Sequence, residues 1–329
     1  MSQTRRGVLL LNVGSPDAPT PMAVYRYLRQ FLMDERVLDM PWLQRWLLVN
    51  LVIAPFRAGA SAERYRQVWT PQGSPLVAIT NDLVQRLAAR TGLQVAFGMA
   101  YGSPSIPSAV DSLRRCEHVT VVPLFPQYAT ATTASVLSGV QSAFAAGNPI
   151  PSLNVLPAFG SDPAFLDVLA ASARQHISGV DHVLCSFHGL PERQVTALDG
   201  ACLTEGCCER PCGTRWSCYR AACLDTAAGL ASRLPGADVS VSFQSRLGRD
   251  KWLGPETGAE LTRLARSGKK RVAVLCPSFV TDCLETLEEI GVEARATFKA
   301  AGGEELVVVP CLNVEEAWVD WLARWVAGG

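Results

Sequence analysis

Residues Val119–Thr130, VTVVPLFPQYAT, and Arg271–Asp282, RVAVLCPSFVTD, have one shape written twice. Each starts as an apolar, β-branched run and breaks at a proline with an aromatic residue close behind. Each ends on a threonine or aspartate able to open a helix. Working outward, every half of the chain holds four such runs: 8–13, 95–98, 119–124 and 153–156, then 182–187, 239–243, 271–276 and 305–310. Amphipathic stretches separate them, at 76–89, 134–146, 164–176, 221–234 and 283–300. Short apolar runs without polar alternation predict strands buried on both faces, and their alternation with helices predicts parallel sheets with helical cover. The expected fold is α/β: two similar doubly wound, Rossmann-like domains, each with a parallel four-stranded sheet, facing each other across a cleft. Residues 1–160 would form the first domain and 161–313 the second. A last helix over 314–329, with Trp318, Trp321 and Trp325, would pack back on the first. A chain of 329 residues suits two cores better than one.

Composition narrows the function. Lys+Arg and Asp+Glu are 30 each, so no basic surplus points to nucleic acid. A hydrophobic fraction of 48% describes a core-forming chain. The apolar run behind MSQTRR is too short for a signal-peptide core, which predicts a cytoplasmic protein with reduced thiols. The stretch 41–56, PWLQRWLLVNLVIAPF, falls short of the ~20 residues that span a bilayer. It reads first as a buried helix. The sharper reading is an exposed lip resting on the inner face of a membrane, with Trp42 and Trp46 at the interface. Monomer and homodimer are equally compatible with the sequence.

No strand is followed by Gly-x-Gly-x-x-Gly or a Walker loop, and there is no Gly-x-Ser-x-Gly elbow, so nucleotide binding and α/β-hydrolase chemistry lack their usual backbone. In doubly wound sheets ligands bind beyond the carboxyl ends of the strands. His188, in CSFHGLPER (185–193), stands at such an end, where an imidazole can act as base or metal ligand or sit as a satisfied polar group. Asp282, Glu285 and Glu289 recur at i, i+3 and i+7, on one helix face. A solvated acidic face is the plain reading. Asp282 also fits an N-cap, and a carboxylate ladder can raise one member's pKa and pass protons or a divalent cation along. Iron(II) accepts both imidazole and carboxylate ligands.

Seven segments together resemble ferrochelatase: LNVGSP (11–16), GSPL (73–76), PLFPQYATATT (123–133), SFHGLPER (186–193), FQSRLG (243–248), KWLGPET (251–257) and FVTDCLETLEEI (279–290). They run in order over almost the whole chain. The resemblance implies a chelatase-like fold and a lyase that inserts Fe²⁺ into protoporphyrin IX, forming protohaem at the last step of haem biosynthesis. It implies His188 as catalytic base and Glu285 as catalytic glutamate, both also candidate metal ligands. Asp282 and Glu289 would form a proton or metal path, and Val13, Tyr128 and Trp252 would contact the macrocycle. Cys283 and Ala100 depart from the pattern, standing where many members carry histidine and arginine. Val13 resembles the protoporphyrin-using members more than the coproporphyrin-using ones. Coproporphyrin III or another tetrapyrrole as substrate is the alternative, and a non-catalytic haem- or metal-binding protein is the alternative class.

Six of the eleven cysteines crowd into residues 202–223, beginning 14 residues after His188. In a reducing compartment such a run reads as a metal or cluster site before disulfides. Residues 198–217 resemble the internal segment of those bacterial ferrochelatases that hold a [2Fe-2S] cluster. The resemblance implies Cys202, Cys207, Cys208 and Cys218 as ligands, with Cys212 a substitute for one of the adjacent pair. Cys223, Cys116, Cys185, Cys276 and Cys311 read as packed thiols.

Overall fold

The computed structural model describes residues 5–197, 202–204, 206–208, 217–246, 248 and 250–328. The chain divides into two compact units. One comprises Met1–Leu124, Thr130–Pro157 and Asn313–Gly329, the other Phe125–Ala129 and Ala158–Leu312.

The first unit carries β1 (Arg6–Ser15), β2 (Gln94–Gly102), β3 (His118–Pro123) and β4 (Ser152–Val155), in the order β2-β1-β3-β4. Every pairing is parallel, for example Val8 with Val95 and with Thr120. Its helices are α1 (Pro21–Met33), α2 (Trp42–Leu47), α3 (Ala54–Val68), α4 (Pro75–Thr91), α5 (Ile106–Leu113) and α6 (Ser135–Ala145). Two π-helical segments join them, π1 (Leu48–Ile53) and π2 (Thr130–Ala134). Local chemistry sets several ends. Thr20 and Ser105 accept N–H groups of α1 and α5, each followed by a proline in the first turn. Gly92 closes α4 at φ 69, a left-handed conformation that glycine adopts without a Cβ penalty.

The second unit repeats the plan with β5 (His182–His188), β6 (Val239–Gln244), β7 (Arg271–Leu275) and β8 (Glu305–Val308), in the order β6-β5-β7-β8. These pairings are also all parallel. Around them lie α7 (Pro163–Arg174), α8 (Glu192–Thr196), α9 (Tyr219–Ala231), α10 (Thr257–Arg266), π3 (Glu285–Ala294) and α11 (Arg295–Ala300). Leu184, Val272, Val274, Leu261, Ile290 and Phe298 form a shared core beneath this sheet. The expected α/β class with two parallel four-stranded sheets is the fold observed. In each sheet the chain moves first to one side of the opening strand and then to the other, so β1 and β5 lie at the switch points where such sheets bind ligands.

Three expectations need correction. The stretch 283–300 is not one α-helix. It runs as π3 and then α11, and over so short a window both geometries set residues four apart on neighbouring turns. Asp282 is not an N-cap, because π3 opens at Glu285 with Leu284 ahead of it. The stretch 41–56 is not a buried helix. Only a narrow stripe with Arg45, Val49, Asn50 and Ala54 turns inward, while Leu43, Leu47, Leu51 and Val52 are exposed, as are Trp42 (62%) and Phe56 (81%). A continuous apolar run looks the same in sequence whether one face or every face is covered. The last helix, α12 (Glu316–Gly328), packs on α4; Trp318 and Trp321 are buried, whereas Trp325 remains exposed.

Candidate functional site

His188 is the last residue of β5, at the second sheet's switch point. It is half-buried, beside Gln244 at the end of β6. Its Nδ1 lies 2.7 Å from the carbonyl oxygen of Gly189, an acceptor only, so Nδ1 carries the proton. That tautomer places a lone pair on Nε2, as a base or metal ligand requires. Phe279 packs against the ring at a centroid distance of 6.2 Å. The turn after His188 is held by a backbone bond from Gly189 to the Gln244 carbonyl at 2.7 Å. Trp252 is half-buried and bridges to Pro191, while Leu253 donates to the carbonyl of Leu190.

Gln244 joins this turn to the acidic helix. Its buried carboxamide receives the Ser186 hydroxyl at 2.6 Å and donates from Nε2 to the Glu285 carbonyl at 3.4 Å. Glu285 and Glu289 both lie on π3. Each oxygen of Glu289 accepts from Ser245, the backbone N–H at 2.7 Å and the hydroxyl at 2.6 Å. Ser245 holds φ 67, a conformation that costs energy outside glycine and recurs at functional sites. Burial raises the Glu289 pKa above its ordinary 4.5; Glu285 reinforces the rise, and the Ser245 bonds and His188 oppose it. A carboxyl so placed can hold a proton longer than an exposed one.

Asp282 behaves differently. It is 8% exposed, and its Oδ1 accepts the Thr286 hydroxyl at 2.8 Å and the Cys311 N–H at 3.3 Å. It braces the approach to π3 against the segment that follows β8. Val13 stands near the end of β1 in the first unit, and Tyr128 follows β3 in the stretch assigned to the second. The residues that sequence reasoning left without roles are Gln244, Ser245, Ser278 and Tyr219. Gln244 and Ser245 lie inside a quoted motif, but their contacts are 41 and 44 residues away along the chain.

The cysteines divide sharply. Cys202, Cys207 and Cys208 are partly exposed; Cys218 is buried, as are Cys116, Cys185, Cys223, Cys276, Cys283 and Cys311. Burial pushes the Cys185 thiol up to about 12 and raises Cys276, Cys283 and Cys311 as well, with Glu285 adding to the rise at Cys283. These are protonated packing groups, not thiolates. In the cysteine-rich segment the sulfurs of Cys207 and Cys208 lie 3.8 Å apart. The Leu203 N–H donates to Cys207 Sγ at 3.2 Å and Arg220 to Cys208 Sγ at 3.0 Å. Cys202 and Cys218 do not complete a cage with them: among the described residues no group of three His, Cys, Asp or Glu side chains converges to hold a metal ion. Cys212 lies outside the described residues.

Known proteins resemble this chain over nearly its whole length. The ferrochelatase family model matches residues 5–328. The ferrochelatase of Azotobacter vinelandii is 46% identical over 333 residues, 98% of each chain. That of Pseudomonas fluorescens is 46% identical over 331 residues, 97% of each. Among solved structures, SirB from Bacillus subtilis superposes with a TM-score of 0.54 at 10% identity, covering 98% of this chain and 95% of its own, which speaks to fold alone. DR2241 from Deinococcus radiodurans, a multi-domain protein with structural similarity to chelatases, gives 0.50 at 15% identity over 99% of this chain and 55% of its own.

Proposed function

The chain belongs to the ferrochelatase family, a family of metal-insertion enzymes, and from that premise we propose how its residues share the work of placing Fe²⁺ in protoporphyrin IX for haem biosynthesis. Metallation removes two pyrrole protons and strips water from the incoming ion. Iron here is substrate. His188 takes a pyrrole proton on Nε2, while its Nδ1–H stays on the Gly189 carbonyl. Glu285 receives protons or hands over the metal, and Glu289 relays them toward solvent. Asp282 serves the path by bracing the start of π3 through Thr286. Trp252, with Val13 and Tyr128, contacts the macrocycle. The observation that carries this reading is the shared anchoring of the His188 turn and of Glu285 on one buried residue, Gln244.

Purified protein incubated anaerobically with protoporphyrin IX and Fe²⁺ tests it by the appearance of haem absorption. Porphyrin that binds but is never metallated would convert the reading to a binding protein. The same assay with coproporphyrin III decides the substrate subtype.

A [2Fe-2S] cluster in the cysteine-rich segment is proposed as well. Its support is the pairing of the Cys207 and Cys208 sulfurs, 3.8 Å apart, each of which accepts a hydrogen bond. Metal insertion transfers no electrons, so the cluster would staple the segment rather than react. Replacing Cys202, Cys207, Cys208, Cys212 and Cys218 one at a time tests the ligand set, since any variant with full visible absorption removes that residue from it. We further propose that the exposed apolar face of α2, π1 and the start of α3 rests on the inner membrane surface of a cytoplasmic protein. No helix among the described residues is long and apolar enough to cross a membrane. Co-sedimentation with phospholipid vesicles, lost in Trp42→Ser/Phe56→Ser, is the expected result.

A further inference from the structure

His188 extends past the end of its neighbour strand. The β5–β7 pairing stops at Cys185 with Leu275, three residues short of His188. On the β6 side the turn keeps its backbone partner, Gln244. On the β7 side two side chains stand in. The Tyr219 hydroxyl donates to the His188 carbonyl at 2.8 Å, and the His188 N–H donates to Ser278 Oγ at 3.4 Å. The two hydroxyls are themselves 3.0 Å apart. Tyr219 has one proton and spends it on the carbonyl, so the Ser278 hydroxyl must donate to Tyr219. The three bonds form a closed ring around one residue's backbone, and the buried Cys223 thiol, one turn along α9, also meets the Tyr219 hydroxyl. Tyr219 is 7% exposed, so loss of its hydroxyl would leave buried polar groups unmatched.

Tyr219 is also the first residue of α9, directly after the cysteine-rich segment. Its neighbour Arg220 holds Cys208 Sγ at 3.0 Å. The first turn of α9 therefore touches the cysteine-rich segment through one residue and the backbone of His188 through the one before it.

We propose that Tyr219 is a positioning residue for His188, linking the cysteine-rich segment to the imidazole through the hydroxyl ring with Ser278. The proposal rests on the reading of His188 as the base. Tyr219 touches no reacting atom. It sets where the β5 end stops and so where Nε2 meets the pyrrole proton.

The test uses the full chain and Tyr219→Phe, Ser278→Ala, their double variant and His188→Ala, assayed with Fe²⁺ and protoporphyrin IX across pH. Tyr219→Phe is expected to lower kcat about tenfold while the porphyrin KM stays within about twofold, because misplacing a catalytic group by a fraction of an ångström costs turnover rather than binding. The acid limb of its pH–rate profile is expected to move. Ser278→Ala should act in the same direction, and the double variant should fall no further than the worse single one, since both break one ring. Wild-type kcat in Tyr219→Phe overturns the proposal, as do losses that multiply in the double variant or a drop in kcat with an unmoved pH profile. His188→Ala separates the two readings. If it is inactive while Tyr219→Phe is fully active, only the positioning role fails. If it keeps wild-type turnover, the base assignment itself fails.

Discussion

Adding one methyl group at Gly189 tests the site most directly. A Cβ built there would lie 2.7 Å from the Gln244 carbonyl oxygen and 3.2 Å from Trp252 Cε3. Ordinary contact begins at 3.4 Å, so the carbonyl and the new methyl must separate by about 0.7 Å. Neither neighbour is a flexible tip. The carbonyl is β6 backbone, already bonded to the Gly189 N–H, and the indole is a rigid ring on a residue whose backbone is bridged to Pro191. Overpacking of this kind costs about 1–3 kcal/mol, or roughly 2–4 °C of melting temperature per kcal/mol in a unit of this size. The displacement falls on the turn that carries the His188 Nδ1 partner, and an error approaching 1 Å costs up to about 10²-fold in turnover. Gly189→Ala should therefore melt several degrees lower and form haem roughly 10- to 100-fold more slowly at saturating porphyrin. Thermal unfolding and initial rates read both effects. An enzyme with unchanged rate and midpoint would refute the claim that this turn is held rigid from both sides.

Glu285→Gln should keep the fold and bind porphyrin while kcat drops about 10²- to 10⁴-fold, as loss of a proton-transferring group does; single-turnover rates measure it. Glu289 has a raised folded pKa, so the stability tied to its proton is full below its ordinary 4.5 and is lost as pH rises through the folded value. Glu289→Gln cannot titrate, so urea unfolding between pH 4 and 8 should show a shallower decline with rising pH than the wild type; parallel curves would contradict the burial argument. Gly59 is exposed inside α3, and a methyl group added there would meet nothing within 4 Å. Gly59→Ala should stabilise by up to about 1 kcal/mol with unchanged haem formation, serving as a control for Gly189→Ala.

The sheets were legible in sequence because their central strands are buried on both faces. Runs such as Val8–Leu11 and Val272–Leu275 are short and apolar without interruption, and their short length between turn signals, rather than the run alone, marks them as strands. His188 was legible for a related reason: a strand followed by Gly-Leu-Pro must end there. The π geometry at Glu285–Ala294 was not, because backbone bonding that closes at i+5 leaves the side-chain pattern at i+4 nearly intact. Tyr219 carried no signal. Its partners lie 31 and 59 residues away, and the sequence beside it is dominated by cysteines. The apolar face of α2 needed the fold, since only the inward stripe around Val49 and Ala54 shows which side has a partner.

Ser245 has a consequence for which substitutions the chain can accept. Its left-handed backbone narrows the choice toward glycine, asparagine and aspartate, and disfavours every β-branched residue, threonine included. Its second bond to Glu289 needs a hydroxyl that can donate, which glycine lacks and aspartate would replace with a repelling charge. Asparagine has a donor but places it one atom farther from the backbone. The two demands overlap at serine. A randomised codon at 245, selected for haem formation, should return serine almost alone, although the residue touches neither porphyrin nor iron in the proposed reaction.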